Sequence, residues 1–380
     1  PGFGGKTLLL HHFTHTRQRM RIRKLLSAFF LLAITAGTAT AQDIHFSQYN
    51  MSPMTLNPAH IGGFEGTARI SGIYRSQWTS IMSRDQFETP CVSVDAPIIR
   101  GFRKRDWVGV GLVVFSDKAG ILGLTHTAAK LGASYHLALN KKGTTYLTLG
   151  AQYGQASRRL NPDKARFAEG FLNKGGSDYN QNLDVDFANL NRDQSSWTDI
   201  DGGLVLKSRL NKQMDFSIGY AMYHIDRGQY GLITGGGSGG GGGTGGGPQQ
   251  SSDEIARRSV ATGQFNIKMN DKLTVSPTFI YQTMAGAHDE IIVQGLGSYL
   301  FNEEKDVTLL FGLGYRFRDA VHPIFGAQIK SLRVGLAYDV NISGLSADTN
   351  LRGGFELAAS YIIKIYKPAV VKTKVLCPRF

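Results

Sequence analysis

The residues with the richest chemistry in this 380-residue chain are few and scattered. Asp184, Asp186 and Asp193, with Asn189 and Asn191 among them, offer the oxygen ligands that Ca²⁺ prefers. The run lacks the glycine and the closing glutamate of an EF-hand, and a solvated acidic loop fits it better. Residues 235–247 hold eleven glycines with Ser238 and Thr244, followed by Pro248. A phosphate-cradling loop would need a Lys-Ser/Thr after the glycines and a strand–loop–helix context, and neither is present. A run of this composition is expected to pack no core. Cys91 and Cys377 are the only cysteines. One falls in an early strand and the other in a C-terminal tail, so two unpaired thiols are expected rather than a disulfide. His-Glu-x-x-His and Cys-x-x-Cys patterns are missing. The expectation is therefore no enzyme, no catalytic residue, no cofactor and no resident metal, with an outer-membrane hydrolase as the formal rival.

The elements that carry these residues are strands. In residues 353–366 the odd positions Phe355, Leu357, Ala359, Tyr361, Ile363 and Ile365 are apolar, while Glu356, Ser360 and Lys364 sit between them. The same period of two separates Thr144, Tyr146, Thr148, Gly150 and Gln152 from Leu147, Leu149, Ala151 and Tyr153. It places strands at 66–78, 86–97, 106–116, 123–139, 144–158, 197–210, 213–226, 256–269, 272–284, 289–301, 306–318, 321–329, 332–341 and 353–366. Many are longer than the ~5–6 residues usual for soluble strands and match the ~9–11 of a tilted strand crossing a bilayer. Tight turns around 140–143, 211–212, 270–271, 302–305 and 330–331 alternate with longer connections, above all 159–196 and 227–255. Short turns at one end and long loops at the other are the pattern of an outer-membrane barrel. The predicted fold is all-β: a transmembrane outer-membrane β-barrel of about 14 antiparallel strands over 66–366. Trp78, Trp107 and Trp197 are expected at the headgroup level.

The first residues look like an address. Residues 20–41 combine the basic Met20-Arg21-Ile22-Arg23-Lys24, a short apolar run and Ala39-Thr40-Ala41, which is the make-up of a signal peptide cleaved before Gln42. Residues 1–19 look like an upstream extension. Residues 1–41 carry six basic residues and no acid, nearly half of the net charge of +13. Charge therefore gives no argument for nucleic acid as a partner. Residues 42–65, rich in Ile44, Phe46, Tyr49, Met51, Met54, Leu56 and Ile61, are too apolar to be left in water. They are expected at the periplasmic mouth or folded into the lumen. Residues 367–380 form a basic periplasmic tail.

The segment that follows residue 41 reads Gln42-Asp43-Ile44-His45-Phe46-Ser47-Gln48-Tyr49, then Pro53, Leu56-Asn57-Pro58-Ala59 and Gly62. Tyr74-Arg75-Ser76-Gln77-Trp78 comes next, and Tyr338-Asp339-Val340-Asn341 later leads to Gly353-Gly354-Phe355-Glu356. This ordered set closely resembles the PorP/SprF family of Bacteroidota, over about residues 42–380. The glycine run and residues 1–19 lie outside the shared motifs.

The resemblance implies an outer-membrane barrel of the type IX secretion system, linked to gliding motility. It implies as partners a secreted surface protein with a C-terminal sorting domain and periplasmic components such as a peptidoglycan-binding lipoprotein, besides outer-membrane lipid. Gln48, Asn57, Pro58, Arg75, Gln77, Trp78 and the tail residues Lys372, Lys374 and Arg379 are the candidates for partner contact. Placed inward, Arg75 needs a carboxylate. Glu356 is the candidate, because closure sets the first strand beside the last. A passive solute channel is the alternative function. An uptake receptor is less suited, since 42–64 is too short for a large plug domain.

Overall fold

A computed structural model describes residues 43–79, 86–100, 105–120, 123–161, 194–229, 254–284, 289–344 and 346–365. They form fourteen strands: β1 (Ala68–Gln77), β2 (Phe87–Arg100), β3 (Trp107–Ala119), β4 (Leu124–Ala138), β5 (Thr145–Arg159), β6 (Gln194–Arg209), β7 (Met214–Tyr223), β8 (Arg258–Lys268), β9 (Leu273–Met284), β10 (Asp289–Asn302), β11 (Val307–Arg316), β12 (Ala320–Ile329), β13 (Leu332–Asn341) and β14 (Arg352–Ile363). Each pairs antiparallel with its neighbours in sequence, and β1 pairs with β14 to close the barrel. Closure leaves no unpaired edge, which is the condition for placing strands in hydrocarbon.

The side-chain alternation has its expected result. Leu131, Phe325 and Leu313 on the outer wall are 60–66% exposed. Side chains of that size face water poorly and lipid well. Inward positions are polar or small: Glu356, Asp201 and His322 are fully buried. Ladder breaks are local. A register shift between Tyr338 and Val340 marks a bulge at Asp339, and bulges re-aim side chains.

All fourteen expected strands are present, with ends shifted by three residues at most. The expected strand 213–226 stops at Tyr223 because His224 turns the chain with φ +57°. Likewise β1 stops before Trp78, whose φ is also +57°. The connections 101–106, 139–144, 210–213, 269–272, 303–306 and 330–331 share one end with the start of β1. The connections 78–86, 120–123, 160–193, 224–257, 285–288, 317–319 and 342–351 share the other. The acidic run at 184–193, the glycine run at 235–247, the signal-like residues 20–41 and the tail with Lys372, Lys374, Cys377 and Arg379 lie outside the described residues.

The headgroup expectation for the tryptophans is corrected at two of the three. Trp197 is buried on the lumen face, stacked on His126 at 5.7 Å between ring centres. Trp107 also points inward, stacking on His136 at 4.3 Å and donating from Nε1 to Gly62 O at 3.0 Å. Their parity along the strand, shared with Asp199 and Val113, decides this; proximity to a strand end does not.

Candidate functional site: a plug inside the barrel

Residues 43–62 lie inside the barrel, mostly buried against its wall. Three short helical turns, Tyr49–Met51, Pro53–Leu56 and Pro58–His60, break the segment into steps. Its apolar residues, expected to avoid water, are buried against inward side chains: Met54 and Ile61 are fully buried, with Phe46, Met51, Val113, Phe115 and Ala128 in the same cluster. Tyr49 packs on the other side with Val260, Ile280 and Ile292.

The segment runs from the long-connection end towards the short-turn end. Asp43 meets His224 and Arg258, which flank the β7–β8 connection. Asn57 reaches mid-wall, donating from Nδ2 to Leu204 O at 3.2 Å and Tyr220 O at 3.1 Å. Ile61 O accepts from Ser134 Oγ at 2.6 Å, and Gly62 N–H donates to Asp95 at 2.7 Å. Asp95 is held in turn by Arg69 at 2.7 Å. The signature residues explain the local shape. Asn57 caps the turn Pro58–His60 by accepting from Ala59 N–H, with Pro58 at its first position, the arrangement both residue types favour. Gly62 has φ +64°, and a Cβ there would come within 2.7 Å of Gly109 Cα.

The wall is carved to receive this segment. A side chain at Gly203 would collide with Asn57 Oδ1, at Gly150 with Ala59 N, at Gly109 with Ile61 O and at Gly335 with Gln48 Oε1. Small wall residues here are the complement of the plug's shape.

Two buried charge networks fasten its first half. In one, both carboxylate oxygens of Glu356 accept backbone N–H groups, from Ser47 at 2.7 Å and Gln48 at 2.9 Å. Arg75 pairs with Glu356 and, at 2.7 Å, with Asp339. Ser47 Oγ donates to Asp339 at 2.7 Å and accepts from Arg316 at 2.9 Å. In the other network, Asp43 lies 3.1 Å from Arg258 Nε and 3.3 Å from His224 Nε2. His224 Nδ1 lies 2.9 Å from Asp199, and Lys130 Nζ lies 2.7 Å from both Asp199 and Asp201.

Burial works against the charge on Asp43, but Arg258 and then His224 outweigh it and hold the carboxyl well below the usual range. Burial also opposes charge on His224, yet its bonds to Asp199 and Asp43 push it up to about 9. His60, buried and facing Arg69, is pushed down to about 4 and stays neutral. Asp199, Asp201 and His224 present ligand atoms within 4.8 Å of one another. Lys130 already supplies the cation between the two carboxylates, so the group is a closed ion cluster. It was missed in the sequence because its members come from β4, β6 and the turn after β7.

This places the candidate residues. Gln48, Asn57, Pro58 and Arg75 are buried and bonded or packed within the chain. Gln48, Asn57 and Arg75 bond the plug to the wall. Glu356 stands against Arg75 as the strand order required, with Asp339 as an additional partner. Gln77 and Trp78 lie half-buried at the long-connection end, where Trp78 meets Phe87 edge-on at 4.9 Å. Cys91 is buried, with Sγ 3.7 Å from Ser52 Oγ.

The profile of the type IX secretion system membrane protein PorP/SprF family matches residues 38–361. The chain belongs to this family. As a PorP/SprF protein with a closed fourteen-stranded wall, it is an outer-membrane barrel of the type IX secretion system. No curated protein matches it. Among solved structures, this PorP/SprF chain is similar to the Pseudomonas putida toluene transporter TodX, at 11% identity over 82% of this chain and 93% of that one, with a TM-score of 0.44. It is also similar to the CymD monoaromatic hydrocarbon channel, at 10% identity over 87% and 96% with a TM-score of 0.45. A third is the KdgM porin, at 8% identity over 77% and 98% with a TM-score of 0.34.

Proposed function

We propose that the barrel is a docking and anchoring platform for a secreted surface protein that bears a C-terminal sorting domain, and not a conduit. What supports this reading is the plug. A lumen occupied by 43–62, fastened by two buried ion networks, offers no path to a polypeptide. It also disfavours the passive solute channel. The cargo is then held outside, by the long connections at one end of the wall. Those connections face the cell exterior, and the short turns with the basic tail face the periplasmic machinery, including a peptidoglycan-binding lipoprotein. A tail carrying Lys372, Lys374 and Arg379 suits an acidic partner surface and steers encounter electrostatically.

Affinity capture of the tagged barrel from its own membranes tests this. A secreted protein with a sorting domain and a periplasmic component should come along. An impermeant maleimide on intact cells should label Ser238→Cys and leave Thr373→Cys untouched. Recovery of neither partner, or the inverse labelling, overturns the proposal.

A further inference from the structure

In thirteen of the fourteen strand pairs a connection in sequence joins the two partners, so the turn or loop helps to fix the register. The seam between β1 and β14 has no such connection. A slip of two residues there would keep every side chain on its own face and cost the outer wall little. Something else must select the register.

The inward row of the seam carries two matched polar pairs. Arg75 lies opposite Glu356, and Ser71 opposite Ser360 with their hydroxyls 2.9 Å apart. A slip of two would set Arg75 against Gly354 or Ala358, and Ser71 against Ala358 or Ile362. It would leave a buried guanidinium and a buried carboxylate without each other, and buried charges tolerate that badly. Fixing register is the best-attested use of a buried ion pair.

The pair does not act alone. The carboxylate that faces Arg75 is the one that takes the N–H groups of Ser47 and Gln48. Gln48 Nε2 donates to the backbone oxygen of Glu356 at 3.2 Å. Ser47 Oγ accepts from Arg75 at 3.2 Å and from Arg316 and donates to Asp339. Two consecutive plug residues thus touch β1, β11, β13 and β14 together, on both sides of the seam. The bulge at Asp339 aims its carboxylate into the same knot.

We infer that Ser47 and Gln48 are a closure clasp: the plug selects the register in which the first and last strands meet, in addition to occupying the lumen. This gives the segment an assembly role, independent of what the finished barrel docks. Backbone N–H groups and the Ser47 hydroxyl recognise Glu356 and Asp339 only when these flank Arg75. The plug therefore serves as the template that the missing turn cannot be.

Cysteine pairs report the register directly, in a background with Cys91→Ser and Cys377→Ser. Oxidation should join Ser71→Cys to Ser360→Cys in the otherwise unaltered barrel, and should not join Ser71→Cys to Ala358→Cys or Ile362→Cys, given the narrow distance a disulfide spans. Glu356→Gln should raise the slipped products at least tenfold relative to the native one, or leave the seam open and the barrel unfolded on an unheated gel. The exchange Arg75→Glu with Glu356→Arg keeps an ion pair but turns the acceptor of the two N–H groups into a donor. It should not restore the native pattern. Restoration by the exchange would mean that the pair alone sets the register and would overturn the clasp. If Glu356→Gln does not accumulate, Ser47→Pro with Gln48→Pro decides, since it removes both N–H donors and leaves every strand residue in place. The slipped products should rise several-fold, and an unaltered pattern refutes the inference.

Discussion

His224 joins the plug to the wall, and its behaviour with pH follows from its neighbours. It faces Asp43 on the plug and Asp199 on β6, with Arg258, Lys130 and Asp201 in the same cluster. Its pKa is raised from 6.5 to about 9. A raised value means that the charged form is favoured in the fold. The stability it lends is fully present below about pH 6.5 and is lost as pH rises through about 9. The loss is bounded by about 3 kcal/mol. Denaturant titrations of the detergent-solubilised barrel should give a midpoint that falls between pH 6.5 and 9.5. His224→Gln should flatten that slope; an equal slope in both proteins contradicts the assignment. None of this was legible in the sequence. His224 is one of ten scattered histidines, and only the left-handed turn after β7 brings it to Asp199 and Asp43. Arg75 was different, because closure alone puts β1 beside β14 and thereby names Glu356 as a partner.

At the scale of elements the strands were legible almost completely. Period-two alternation of large apolar residues against polar ones survives in fourteen segments, because lipid outside and a polar lumen inside impose it on each strand separately. The plug was legible as apolar and ordered, and its place was narrowed to the periplasmic mouth or the lumen but not decided between them. Its partners are glycines such as Gly203 and Gly335, which carry no pattern of their own. Those glycines give the test of the element. Gly203→Val should drive Asn57 from its cap and cost about 1–3 kcal/mol, the usual range for overpacking. The plug should become cleavable by added protease. Gly263→Val, on a strand of the same wall with nothing within 4 Å of a Cβ, should change neither. Equal protease resistance in both variants would mean that the plug does not depend on the carved wall.

For the whole molecule the account rests on one arrangement: a closed wall, a lumen occupied by its own N-terminal segment, and long connections gathered at one end. The family membership places that arrangement in type IX secretion. The buried networks around Glu356 and Asp43 explain why a barrel wide enough for a channel is occupied. Single-molecule conductance across a planar bilayer tests this most directly, with the purified, unaltered barrel inserted and its insertion confirmed by protection from protease. The plugged platform predicts no stepwise current above the bare membrane. A steady, porin-sized conductance with residues 43–62 still in place would contradict it.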